Sequence, residues 1–197
     1  MMPYPVVFDV TPPERYDRVQ LLLRLLILAV LGLVGVSGGW LVMLLYLALP
    51  LAAAIVIEGR GAEEYLVKTA PGIERMLRWL LSFSAYMTFL SDRFPTGSST
   101  LVRFDVTPTG IPTRTGALLR LLISLPEALI LAVLGMVAGV VSFVSCLCVL
   151  FSAQVPDALI VFQRGVIRWE ARLAAYHASL VDIPPPYALD GRAERMV

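Results

Sequence analysis

The residues of this chain that could do chemistry are few. Glu127 follows Pro126 inside a long apolar stretch, and Cys146 and Cys148 form C-x-C further along it; His177 is the single histidine, and Arg164, Arg168 and Arg172 step by four. An ionisable group is expensive to bury in lipid, so Glu127 in a membrane span would point to a proton or cation pathway. The competing reading is a structural carboxylate, interfacial or paired with Arg120 seven residues earlier on nearly the same helix face. The two cysteines point to nearly opposite sides of a helix. With no third Cys they offer neither a zinc site nor a disulfide framework, and they read as small core residues. A lone histidine cannot supply bis-histidine haem ligation within one chain, and here it reads as a surface residue. No G-x-x-x-x-G-K-[ST], G-x-G-x-x-G or G-x-S-x-G occurs. The usual phosphate cradles and the serine-hydrolase elbow therefore lack their residues. The expectation is no catalytic residue, no metal and no cofactor.

The arginine ladder falls on a segment, 156–181, that reads as an amphipathic helix. Leu159, Phe162, Val166, Trp169, Leu173, Tyr176 and Leu180 recur at alternating spacings of three and four, which makes one apolar stripe. Pro156 and Asp157 suit its first turn: proline lacks only an N–H that is unpaired there anyway, and aspartate favours the positive dipole end. Trp, Tyr and Arg together fit a helix lying in the headgroup layer with guanidinium groups toward phosphates. An earlier segment, 72–90, repeats the stripe as Met76, Trp79, Phe83, Tyr86 and Leu90 but keeps only Arg78 of the ladder. Two readings stand for Arg78, Trp79, Tyr86, Arg164, Arg168, Trp169, Arg172 and Tyr176. They contact anionic lipid or a partner protein, or they form a solvated face that anchors the helix.

The elements that must position these groups follow from composition. Hydrophobic residues make up 58% of the chain and charged residues 16%, with a mean hydropathy of +0.79; soluble domains are about half apolar and about a quarter charged. From Val19 to Ile57 the one charge is Arg24, and from Thr115 to Val155 the charges are Arg120 and Glu127. A crossing takes about 20 helical residues, so each stretch suffices for two, with GVSGGW at 35–40 and GMVAGVVS at 135–142 as turns. The expected fold is an all-α membrane protein with four transmembrane helices as two tandem hairpins, about 19–57 and 115–155. A short extended strand precedes each hairpin and an amphipathic interfacial helix follows it. Two long buried helices in a soluble bundle are the competing reading. All sixteen Lys and Arg lie outside the presumed tips, which predicts a multi-pass protein of the cytoplasmic (inner) membrane with both termini and the central segment cytoplasmic. The first nineteen residues lack a secretory-signal pattern. A net charge of +1 gives no reason to expect nucleic acid as a partner.

The chain also repeats itself. FDVTP at 8–12 returns at 104–108, and LLRLLI at 22–27 returns at 118–123, both 96 positions on. LAVLG at 28–32 returns at 131–135, after seven extra residues, SLPEALI, that contain Glu127. Arg78–Trp79, Tyr86, Leu90, Asp92 and Pro95 are answered 90 positions later by Arg168–Trp169, Tyr176, Leu180, Asp182 and Pro185. Collinear blocks imply a duplication: unit one spans 1–97, unit two spans 98–190, and 191–197 is a tail. Units that enter and leave by the same face should be related by an axis along the membrane normal. YPVVFDV and TLVRFDV, alternating and β-branched, either pair as strands or lie extended along the headgroups. Gly35/Gly39 and Gly135/Gly139 allow close helix approach within the chain or between protomers, or they serve as flexible tips.

The stretch 149–189, VLFSAQVPDALIVFQRGVIRWEARLAAYHASLVDIPPPYAL, resembles a bacterial membrane family known as domain of unknown function 4389. That family's pattern is a Y-P-V-x-F-D/E-V start, a hydrophobic hairpin, a P-x-x-L/I-x-x-F helix with R-W and Tyr, and a D-R-Y-P-like turn. The chain looks like two such units covering nearly all of 3–189; the first keeps the turn (LSDRFP, 90–95), whereas the second has LVDIPP there. The resemblance implies a membrane protein and carries no activity. The expected function is a non-enzymatic scaffold or accessory subunit that binds another membrane or peripheral protein, or its own copy, through its cytoplasmic face. The alternative is a lipid-binding or small transport protein using Glu127 and the Arg164/Arg168/Arg172 face, with Arg24 and Arg120 as further intramembrane polar groups.

Overall fold

The structure, a computed structural model, describes residues 4–34, 38–96 and 102–190, with the side chains of 38–42 outside that description. Strands β1 (Val6–Val10) and β2 (Val102–Val106) form a two-stranded sheet. Alternation sets their faces: Val6, Phe8 and Val10 are buried while Asp9 is exposed, as period-two side chains require. They pair antiparallel with Val6 opposite Val106, Phe8 opposite Phe104 and Val10 opposite Val102. The two FDV strings thus meet at their phenylalanines alone, Asp9 facing Arg103 and Asp105 facing Val7, and a local two-fold rotation passes through the Phe8–Phe104 pair. The segments pair rather than lying apart along a surface.

Helix α1 (Arg18–Leu33) is capped by Asp17, whose carboxylate accepts from Val19 N–H at 2.9 Å. It is followed by α2 (Gly38–Arg60), a short turn α3 (Ala62–Glu64), a π-helical turn Tyr65–Thr69 and α4 (Ala70–Met87). The polar segment 58–72 is therefore largely helical. In the second half come α5 (Arg114–Ile123), α6 (Leu125–Ser152) and α7 (Asp157–His177). Thr113 caps α5, its hydroxyl accepting from Gly116 N–H at 3.1 Å. Both caps satisfy an N–H that the first helical turn would otherwise leave unpaired.

The expected fold of two tandem hairpins with four spans is overturned. GMVAGVVS at 135–142 lies inside α6, an uninterrupted helix of 28 residues. Glycines in an apolar run lower helix propensity without forcing a turn. The chain breaks instead at Ser124, where α5 ends and Pro126 occupies the first turn of α6, the one place its missing N–H costs nothing. In the first half α1 has 16 residues, short of a crossing, and residues 35–37 of the expected tip lie outside the described residues, as do 97–101 and the tail 191–197. α1 packs on α6, and α2 packs on α5 and α7. Among the described residues two helices are long and apolar enough to cross a membrane: α2, in its segment Met43–Arg60, and α6. The paired strands also replace the all-α expectation.

One core ties the layers together. α4 packs on β2 and α7, and α7 on β1 and α6, around Phe8, Phe104, Leu77, Leu90, Ile167 and Leu180, each almost wholly buried. Every such side chain contributes about 1.5–3 kcal/mol by leaving water. The predicted interfacial helix 156–181 is in this core: Gly165, Trp169, Arg172, Leu173 and Tyr176 are all buried. The cover is non-local, because the segment up to Asp190 lies back over α7; a Cβ on Gly165 would sit 2.9 Å from the Leu189 carbonyl oxygen.

Candidate functional site

Helices α4 and α7 end alike. Thr88 and Ala178 are their C-caps, and the next residues, Phe89 (φ 63°) and Ser179 (φ 55°), turn left-handed. Leu90 N–H donates to Ala85 O at 2.8 Å and Leu180 N–H to Ala175 O at 3.1 Å, which closes a Schellman cap on each. An arginine then seals each end. Arg24, 2% exposed, donates to Tyr86 O at 2.9 Å, Ser91 O at 2.7 Å and Asp92 Oδ1 at 3.1 Å. Arg120 donates to Tyr176 O, Val181 O and Asp182 Oδ1. The guanidinium carbons stand 4.4 Å from the Tyr86 ring centre and 4.6 Å from that of Tyr176. A buried cation is tolerable here because it meets the negative end of a helix dipole, a carboxylate and an aromatic face together.

The arginines of the two R-W pairs reach across the sheet. Arg78 donates to Phe104 O at 2.9 Å, and Arg168 to Phe8 O at 3.2 Å. Each half's helix is thereby bonded to the other half's strand. The two tryptophans differ. Trp79 donates to Pro95 O at 3.2 Å and stays half exposed, whereas Trp169 is buried and donates to Glu127, which belongs to the inserted SLPEALI.

The polar groups singled out from sequence turn inward. Glu127 is 3% exposed and bonds Trp169 rather than Arg120, whose partner is Asp182. The basic ladder does not face phosphates: Arg172 is fully buried and donates to Ala188 O and Asp190 O at 3.1 and 3.2 Å. Arg168 bonds Phe8 O and Leu189 O, and Arg164 is half-buried. His177 is not a surface residue. It is 1% exposed, shares a 2.6 Å hydrogen bond with Ser124 Oγ and lies edge-on to Tyr46. Burial, with Arg120 adding to it, pushes its pKa down to about 4, so the ring is neutral at pH 7. Burial likewise pushes the Tyr16 and Tyr65 hydroxyls up to about 12; they donate to Phe89 O and Ala178 O.

Sequence reasoning named Arg24 and Arg120 as intramembrane polar groups and missed Asp92, Asp182 and Ser124, which bond them, and Gln163, which lies elsewhere. Gln163 Nε2 donates to Ala138 O at 2.8 Å and Ser142 Oγ at 2.9 Å in the middle of α6. The recurrence of Asp92 as Asp182, 90 positions on, was the available signal; nothing local marked Gln163. Cys146 and Cys148 are half-buried on α6. Among the described residues no three His, Cys, Asp or Glu converge as a metal site. What these groups accomplish is to fasten helices to one another.

Over residues 114–188 the chain is similar to a family described as Domain of unknown function (DUF4389). No curated protein and no solved structure matches it.

Proposed function

We propose that the chain is a non-enzymatic scaffold or accessory subunit of the cytoplasmic membrane, built from two copies of one unit. Lipid covers its apolar helices, and its sheet with α4 and α7 faces the cytoplasm, where a partner protein docks. The observation that carries the reading is the surface of α6: it has a mean hydropathy of 2.5, yet 17% of it is buried. Leu129, Val133, Met136, Val140, Phe143 and Phe151 are all more than half exposed. A soluble monomer rarely leaves so large an apolar patch in water. The two-copy reading draws support from the Phe8–Phe104 pair at the centre of the sheet and the matched arginine seals. The cytoplasmic location of both termini rests on charge placement.

Transport through Glu127 and the Arg164/Arg168/Arg172 face has less to draw on, because Glu127, Arg168 and Arg172 bond other parts of the chain. The test is extraction from native membranes in a mild detergent followed by mass spectrometry. The proposal expects a stoichiometric protein partner that survives high salt. Retained anionic lipid with no protein partner would favour the lipid-binding alternative instead.

A further inference from the structure

Helix α6 rises about 42 Å over its 28 residues, more than the roughly 30 Å of a hydrocarbon core. If it crossed the bilayer, its ends would stand on opposite faces. Both ends are instead fastened to one layer. At the start, Ser124 bonds His177 and Glu127 bonds Trp169. At the middle, Gln163 of α7 bonds Ala138 O and Ser142 Oγ. At the end, Ala153 O accepts from Tyr16 N–H at 2.9 Å, and Tyr16 OH donates to Phe89 O at 2.6 Å.

These ends adjoin the two arginine seals. Arg120 lies four residues before Ser124, and Phe89, which Tyr16 bonds, stacks under Arg24 with the guanidinium 4.4 Å away. The matching bonds of the two seals fit the same rotation about the Phe8–Phe104 axis, which would set them at one height along it, with α6 running from beside one to beside the other. α2 runs the opposite way beside α5: Tyr46 OH donates to Leu121 O at 2.6 Å, and Glu58 pairs with Arg114. The buried stripe of α6, Glu127, Leu131, Ala138, Ser145 and Val149, faces the protein, and most of its remaining circumference is apolar and open. Exposed Arg15, Arg18 and Arg114 sit at the starts of α1 and α5, where they would meet headgroup phosphates.

We infer that α6 lies along the membrane and not across it, embedded in the acyl chains of a single leaflet. The occupant of the open apolar face is lipid hydrocarbon, because a partner helix would cover one side and leave the rest of the circumference bare. The sheet and the α4–α7 layer ride beneath, on the cytoplasmic side, as a monotopic platform. This rests on the lipid-facing reading above.

The experiment places spin labels, one at a time, at Leu129, Met136, Phe143 and Leu150 in a Cys146→Ser/Cys148→Ser background. The chain is reconstituted in phosphatidylethanolamine–phosphatidylglycerol vesicles and depth is read from oxygen against nickel-chelate relaxation. A helix in the plane gives one depth at all four sites. A crossing helix changes depth by about 10 Å for each seven residues, and that profile overturns the inference while leaving a membrane scaffold standing. Aqueous readings at all four sites overturn both. The unmodified chain in stacked bilayers supplies a second measurement that needs no variant. Polarised infrared absorption should place the mean helix axis near the membrane plane, and alignment along the normal overturns the inference.

Discussion

Removing the Arg120 guanidinium would take a donor from the buried Tyr176 and Val181 carbonyls and leave the Asp182 carboxylate, 40% exposed, to solvent. Leaving a buried acceptor unpaired costs about 1–3 kcal/mol, so Arg120→Ala should lower the unfolding midpoint in detergent. Arg120→Lys should recover little, because a single ammonium cannot span three acceptors as a planar fork does. Arg24→Ala should match Arg120→Ala if the two seals are equivalent. The buried His177 gives a signed pH effect. Its folded pKa, about 4, lies below the ordinary 6.5, so only the unfolded chain binds the proton between those values. Relative to His177→Gln, the native protein should lose stability as pH falls from about 6.5 to about 4. Glu170, raised by burial to about 7, has the opposite sign. Relative to Glu170→Gln, stability should fall as pH rises from about 4.5 toward 7. Equal slopes in protein and variant would contradict either assignment. At this scale the sequence pointed to Arg24, Arg120 and Glu127 as unusual because apolar runs surround them. It could not name their partners, which lie 42 to 68 positions away in the chain.

Helix ends and turns carry their own consequences. Ser179 sits left-handed at φ 55°, a conformation that costs a non-glycine residue about 1 kcal/mol, and its buried hydroxyl has no hydrogen-bond partner among the described residues. Ser179→Gly should therefore raise the melting temperature. A fall would mean the hydroxyl has an unrecognised role. Gly110 works in the reverse direction: at φ 74°, an added Cβ would fall 1.4 Å from Asp182 Oδ2, so Gly110→Ala should disturb the Arg120 seal. The amphipathic helices α4 and α7 were legible from three-and-four spacing almost to their ends. The hairpins were not. Hydropathy measures how apolar a run is and says nothing about where it bends; the glycines at 135 and 139 looked like a turn, whereas Ser124 and Pro126 made the break. The inward course of the arginine ladder was hidden for a related reason, since the chain up to Asp190 covers that side of α7 and no local spacing reports it.

At the scale of the whole molecule, the repeated FDV strings, the exchanged Arg78 and Arg168 bonds and the two arginine seals are what the proposed two-copy arrangement rests on. Its polar layer would then lie entirely on one side of the bilayer. Lys68 is the chain's only lysine, and it is 67% exposed in the segment between α2 and α4. A membrane-impermeant amine reagent, followed by peptide mapping, therefore reads the side of that segment in unmodified protein. The account predicts labelling of Lys68 in inverted inner-membrane vesicles and none in intact spheroplasts. Labelling in spheroplasts would contradict it.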